Sequence, residues 1–121
     1  MKPLEKKSFN TPDEIKTPAP KLRSEWVHVM GKTLRRVTAE PGWKFKEHSG
    51  PVRGTELCED FHVKLFFGGR FVASYADGTQ EEFRDGDIGV LEPGHDPWVA
   101  GDEPVVFIDL GELIKQAGGT R

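Results

Sequence analysis

The chain has 121 residues, 36% of them apolar and 31% charged, with a formal net charge of −3. That length suits one domain with one modest core, and the composition is that of a soluble globule rather than a disordered or membrane chain. The charge gives no electrostatic reason to expect nucleic acid, and no run approaches the roughly 18 to 20 apolar residues of a membrane helix.

Residues 1–25 carry Pro3, Pro12, Pro18 and Pro20 among charges and few apolar residues, with no apolar stretch of the kind a secretory signal has. They read as an irregular arm lying on the barrel or on a partner subunit, with one capped helical turn near Pro12 and Ser8-Phe9 as an added edge strand. The single cysteine, Cys58, cannot close an internal disulfide, and a cytoplasmic location is the expectation.

From Trp26 to the end, residues 26–121 form the second unit, a series of short β segments with turns between them. Trp26 to Met30 and Thr33 to Ala39 flank Gly31-Lys32. Pro41-Gly42 then turns the chain into Trp43 to His48, where aromatic and polar residues alternate. A longer loop, 49–59, leads to the strongly apolar Phe61 to Phe67, stopped by Gly68-Gly69. Arg70 to Ala76 and Gln80 to Arg84 pair about Asp77-Gly78, and Ile88 to Leu91 runs into Pro93-Gly94. Pro97 to Ala100 and Val105 to Leu110 complete the strands, and Glu112 to Ala117 reads as a short terminal helix. Some nine short strands at this spacing, with no long helical period, predict an antiparallel sandwich or barrel.

Two segments go beyond fold class. Gly42 precedes His48 by six positions, and His62 is followed after six residues by Gly69; later comes Gly86-Asp87-Ile88-Gly89-Val90-Leu91-Glu92-Pro93-Gly94-His95. Together they resemble the two conserved motifs of the cupin superfamily, G-x5-H-x-H-x3,4-E-x6-G and G-x5-P-x-G-x2-H, over residues 32 to 110. The resemblance implies an all-β, antiparallel double-stranded β-helix (a jelly-roll barrel). It also implies one divalent metal held inside by histidines and a glutamate. The departures are large. The second histidine of the H-x-H pair falls on Gly50, the glutamate position on His62, the first proline position of the second motif on Glu92, and its histidine position on Pro97. His95 lies two residues earlier, on the same face of an extended chain.

Under that resemblance His48, His62 and His95 are the candidate ligands, with Glu47, Glu56 or Cys58 available as a fourth from the loop. Three imidazoles and an open position make a competent shell for zinc, nickel, iron or copper. Plainer readings stand beside each. His48 doubles as a strand-end histidine, His95 as a turn histidine held by Asp96, and His28 belongs to the surface or core rather than to a site. Lys64 shares a face with His62 and Phe66, so turned inward it would need an anion or carboxylate and would point to an anionic ligand. Phe66, Trp43 and Trp98 are candidate apolar walls for that ligand, although strand aromatics are more often core. Arg53, Arg70 and Lys46 are candidates for the barrel mouth or for plain surface.

Function therefore divides three ways: a small-molecule-binding cupin with a histidine-based metal site, a metal-dependent enzyme of dioxygenase, isomerase or decarboxylase type, or a metal-free metabolite-sensing barrel. The sheet edges and the polar arm lead us to expect a homodimer.

Overall fold

The computed structural model describes residues 3–116. Nine strands run in chain order: β1 Glu14–Ala19, β2 Leu22–Val29, β3 Lys32–Ala39, β4 His62–Phe67, β5 Arg70–Ser74, β6 Gln80–Phe83, β7 Ile88–Leu91, β8 Asp96–Ala100 and β9 Val105–Asp109. They form a six-stranded sheet, β1-β2-β3-β9-β4-β7, and a three-stranded sheet, β6-β5-β8, with every pairing antiparallel. Two short helices, α1 Gly50–Arg53 and α2 Gly111–Gln116, complete the fold. Among the described residues no helix is long and apolar enough to cross a membrane. The tail of the expected terminal helix, beyond residue 116, lies outside the described residues.

The two sheets close over an aromatic core. Phe66 of β4, Phe71 of β5, Phe83 of β6 and Phe107 of β9 meet with ring centroids 5.0 to 6.5 Å apart, and Trp43 stacks on Phe71 at 6.2 Å. Such rings dominate the burial of a small core and prefer these offset and edge contacts. The turn Gly68-Gly69 carries the chain from β4 in one sheet to β5 in the other, both glycines at positive φ.

Two segments differ from the sequence reading. Where an irregular arm is expected over 1–25, Glu14–Ala19 and the start of β2 are strand. Pro18 is tolerated because β1 is an edge strand whose register slips between Lys16 and Ala19, and Pro20 lies in the turn that follows. The true arm, residues 3–13, makes a turn at Thr11 rather than a helix, and Ser8-Phe9 adds no strand. It folds onto its own barrel: Arg36 reaches Phe9 O and Asn10 Oδ1, and Met30 N–H donates to Glu5.

The second difference matters for the site. Trp43 to His48 does not continue as a strand. After a single bridge between Lys44 and Trp98, Phe45–Ser49 forms a π-helical turn that runs straight into α1. Trp43 Nε1–H donates to the buried Ser49 Oγ at 3.0 Å, and Gly50 packs so tightly that a Cβ there would meet Thr55 O at 2.5 Å. No histidine can stand at that position.

Gly69 gives a test of the sheet-to-sheet corner. It has φ +70, and a Cβ on it would lie 2.4 Å from Pro104 O and 2.7 Å from Val105 Cγ2, whereas Gly68, at φ +69, has open space around it. Gly68→Ala should therefore cost only the left-handed backbone term, roughly 1 kcal/mol, and Gly69→Ala at least twice that. Urea denaturation of the two variants checks the order, and equal losses would show that the corner relaxes freely.

Candidate metal centre and barrel cavity

The inward face of β4 sets the site, because alternate residues on a strand share a face. His62, Lys64 and Phe66 point into the barrel in that order, while Phe67 on the other face is 41% exposed. The strand signal read in the sequence, His and Lys opposite an apolar set, is thus a cavity wall and not a solvated face.

Beside His62 the chain brings in two more groups. Cys58, at the end of the loop that follows α1, is clamped by a pair of backbone hydrogen bonds: its N–H donates to His95 O at 2.8 Å, and Gly94 N–H donates to Cys58 O at 2.7 Å. This clamp fixes both side chains against β4. The donor atoms of Cys58, His62 and His95 lie within 4.8 Å of one another. The two imidazole rings meet edge to face at 5.7 Å, and Cys58 Sγ is 3.5 Å from His62 Nε2.

Each ring is oriented from behind. His95 is fully buried and donates its Nδ1–H to Glu92 O at 2.7 Å, which leaves Nε2 as a lone pair with no hydrogen-bond partner among the described residues. Burial, helped by Lys64 and His62 nearby, pushes its pKa down to about 3, so it is neutral. His62 donates Nδ1–H to Asp109 Oδ2 at 2.8 Å. Its pKa is lowered by burial and by Lys64, against the opposing pull of Asp109. Asp109 also takes Arg35 Nη2 at 2.7 Å and Gly111 N–H at 3.0 Å. Burial opposes its charge, yet the His62 hydrogen bond, with Lys64 and Arg35, holds its carboxyl well below the usual range.

The other candidates fall elsewhere. His48 sits half-exposed on the π-helical turn, with Nδ1 accepting from Lys44 N–H at 3.1 Å, and it does not join the cluster. The turn explains this: it wraps the residue back onto its own preceding backbone instead of extending it along a barrel strand. Glu47 and Glu56 are exposed. Trp43 is 5% exposed and lines the cavity; Phe66, at 0%, belongs to the aromatic core beneath it. Trp98 is on the outer face with Lys44, Lys46 and Asp96, because Pro97 and Val99 take the inward phase of β8. Arg53 lines the cavity and pairs with Asp60 at 2.7 Å, whereas Arg70 pairs with Glu82 on the surface and Lys46 lies 3.6 Å from Asp96. His28 is a surface residue bonded to Glu14 and Thr33.

Asp109 is not singled out in the sequence, and the Arg35-Arg36 pair reads there as a solvated strand face, yet Arg35 turns inward to Asp109. Both carried a signal: each is a charge on the inward phase of its strand, Asp109 with Val105 and Phe107, Arg35 with Val37 and Ala39.

Behind the centre lies a cavity of about 370 Å³, walled by Leu22, Val37, Trp43, Phe45 and Phe107, with Lys64 among them. An outer cleft of about 670 Å³, bounded by Trp26, Thr33 and Pro93, shares Arg35, Asp60, His62 and Asp109 with it, so the ion-paired cluster stands between solvent and the barrel interior.

Lys64 is 5% exposed, and burial pushes its pKa from 10.5 down to about 8, Asp109 opposing. A base whose pKa is lowered on folding destabilises the native state while both states are charged, and that cost disappears as pH rises from about 8 to 10.5, where the unfolded chain alone keeps the proton. Wild-type stability, measured against Lys64→Met in metal-free protein, should thus improve by roughly 3 kcal/mol between pH 7 and 10.5. A difference that does not change with pH would mean that the ammonium stays hydrated.

No protein-family model matches the chain, and no curated protein does. Solved structures do. A protein of unknown function (DUF1255) from Acinetobacter sp. ADP1 superposes with a TM-score of 0.53 at 14% identity, over 79% of this chain and 90% of that one. Its counterpart from Acidithiobacillus ferrooxidans gives 0.52 at 13%, over 80% and 89%. A cupin-like protein from Thermotoga maritima gives 0.50 at 15%, over 73% of this chain, which spans 65% of that protein's length. At such identities the likeness speaks for the fold alone. With its two antiparallel sheets joined at the Gly69 corner, this chain has the β-barrel fold of these structures, one of them a cupin-like protein.

Proposed function

We propose that the protein is a small-molecule-binding barrel built around a divalent metal centre held by Cys58, His62 and His95. One observation carries this reading: the buried Nε2 of His95 has no partner among the described residues and lies within 4.8 Å of the two other donor atoms. Folded interiors seldom leave a buried polar atom unsatisfied, and a metal ion is one of the few things that would satisfy this one. The second ring nitrogens support the reading, since metal-binding histidines regularly donate that N–H to a carbonyl or carboxylate, here Glu92 O and Asp109.

The set differs from the three histidines expected from sequence, with Cys58 in place of His48. A thiolate and two imidazoles favour zinc or copper over manganese. An ion held by three protein ligands supplies Lewis acidity at an open position. That open position favours a second reading, a metal-dependent enzyme, over a purely structural centre. The chain's own residues would orient the rings through Asp109 and Glu92 and bind the ligand in the cavity.

Titrating the metal-free protein with zinc tests the reading. Cys58→Ser and His62→Ala should each weaken binding by about 100-fold or more, while His48→Ala should bind as wild type does. Because metal ligands bind in their deprotonated form, zinc affinity should fall as the pH is lowered, measurable by the same titration at several pH values. Equal affinity in all four proteins would leave a metal-free barrel.

A further inference from the structure

We propose that the barrel cavity takes a small monocarboxylate with an apolar body, its acid group against the Lys64 ammonium and its body among Leu22, Val37, Trp43 and Phe45. This rests on the reading above in treating the barrel interior as the ligand site, and it does not require the ion itself.

Packing alone does not explain the Lys64 side chain. Lys64 is 5% exposed, and its ammonium, which has three protons to donate, makes no hydrogen bond to any described residue. Its neighbours are aromatic faces, Phe107 with the nitrogen 4.1 Å from the ring centre and Phe71 at 4.7 Å. Ring faces return about 0.5 to 2 kcal/mol to a cation, far less than an ammonium loses when stripped of water. Leucine or methionine would fill the same space at no such loss, so packing does not account for the charge and an anionic partner would.

The remaining charges of the cavity wall are accounted for. Arg35 pairs with Asp109 at 2.7 Å and Arg53 with Asp60 at 2.7 Å. Asp109 also takes His62. Three cationic side chains thus face two carboxylates, and the surplus positive charge is that of Lys64. A neutral ligand would leave it unmatched, and a cationic one would repel it. One unpaired ammonium, acting as a point charge rather than an arginine fork, suits a monoanion better than a phosphate. Lys64 also stands two residues from His62 on β4, about 7 Å along the strand, so an acid bound to it lies next to the Cys58–His62–His95 cluster.

The cavity sets the size of the rest. About 370 Å³ is at the small end of ligand pockets, and its walls beyond Lys64 are largely aromatic and aliphatic. An aryl or branched aliphatic acid fills it better than acetate does.

Calorimetry of the full chain, with and without zinc, against acetate, isovalerate and benzoate and the matching amides tests this. We expect benzoate and isovalerate to bind more tightly than acetate, each at least about tenfold more tightly than its amide, roughly 1.4 kcal/mol. In metal-free Lys64→Met the acid preference should vanish. The substitution removes a buried charge and should fold, and the acid-against-amide comparison in wild type stands without it. Acids and amides bound alike, benzoate held equally by Lys64→Met, or inorganic phosphate bound more tightly than any of the acids would overturn the proposal. Zinc uptake without acid preference sinks this inference alone. Acid preference without zinc uptake sinks the metal centre and leaves it standing.

Discussion

The Asp109 carboxylate is the group on which the rest of the site depends. It is buried at the end of β9, where it accepts from His62, from Arg35 of β3 and from the first amide of α2. A buried carboxylate survives only when it is this fully bonded. Its bonds tie three elements together: β4 through His62, β3 through Arg35, and the entry to α2 through Gly111. The same carboxylate decides which nitrogen of His62 is free, and so which way the ring can act. Removing it would leave Arg35 without its partner and His62 without a fixed orientation, so its loss would be felt in both stability and chemistry.

Cys58 reaches the site by backbone means. The π-helical turn and α1 take up the residues between Trp43 and the loop, and the mutual clamp of Cys58 with His95 and Gly94 then lays the thiol beside the imidazoles. His48 is left on the excursion. The residues between Gly42 and His62 thus bring a thiol on a clamped loop beside the imidazoles, so the proposed donor set is nitrogen and sulfur rather than nitrogen alone.

Much of the fold was legible because each strand carries its own signal. Period-2 burial, the turn glycines at 69, 78, 86 and 94, and the apolar run before Gly68 mark eight of the nine strands within a residue or two, four at the N-terminal end of β2. β1 was missed because prolines on an edge strand look like prolines in an arm. Residues 43–48 misled for a different reason: their alternation is real, but a buried tryptophan–serine hydrogen bond and a glycine without room for a side chain favour a helical turn there. At the site, His62, His95 and Lys64 could be read from strand phase. The preference for Cys58 over His48 could not, since it rests on a long-range pairing between a loop and the entry to β8. Phe66 shows another limit, because phase tells inward from outward but says nothing of depth, whereas Trp98 lies on the outward phase of β8.

The proposed centre requires sulfur to join the two imidazoles at one ion. Cobalt(II) added to the metal-free protein reports on this directly, because thiolate ligation produces a near-ultraviolet charge-transfer band that nitrogen and oxygen ligands do not. The band should appear at one equivalent, survive in His48→Ala and be absent in Cys58→Ser. A wild-type spectrum without that band, or one that Cys58→Ser leaves unchanged, would contradict the proposed centre.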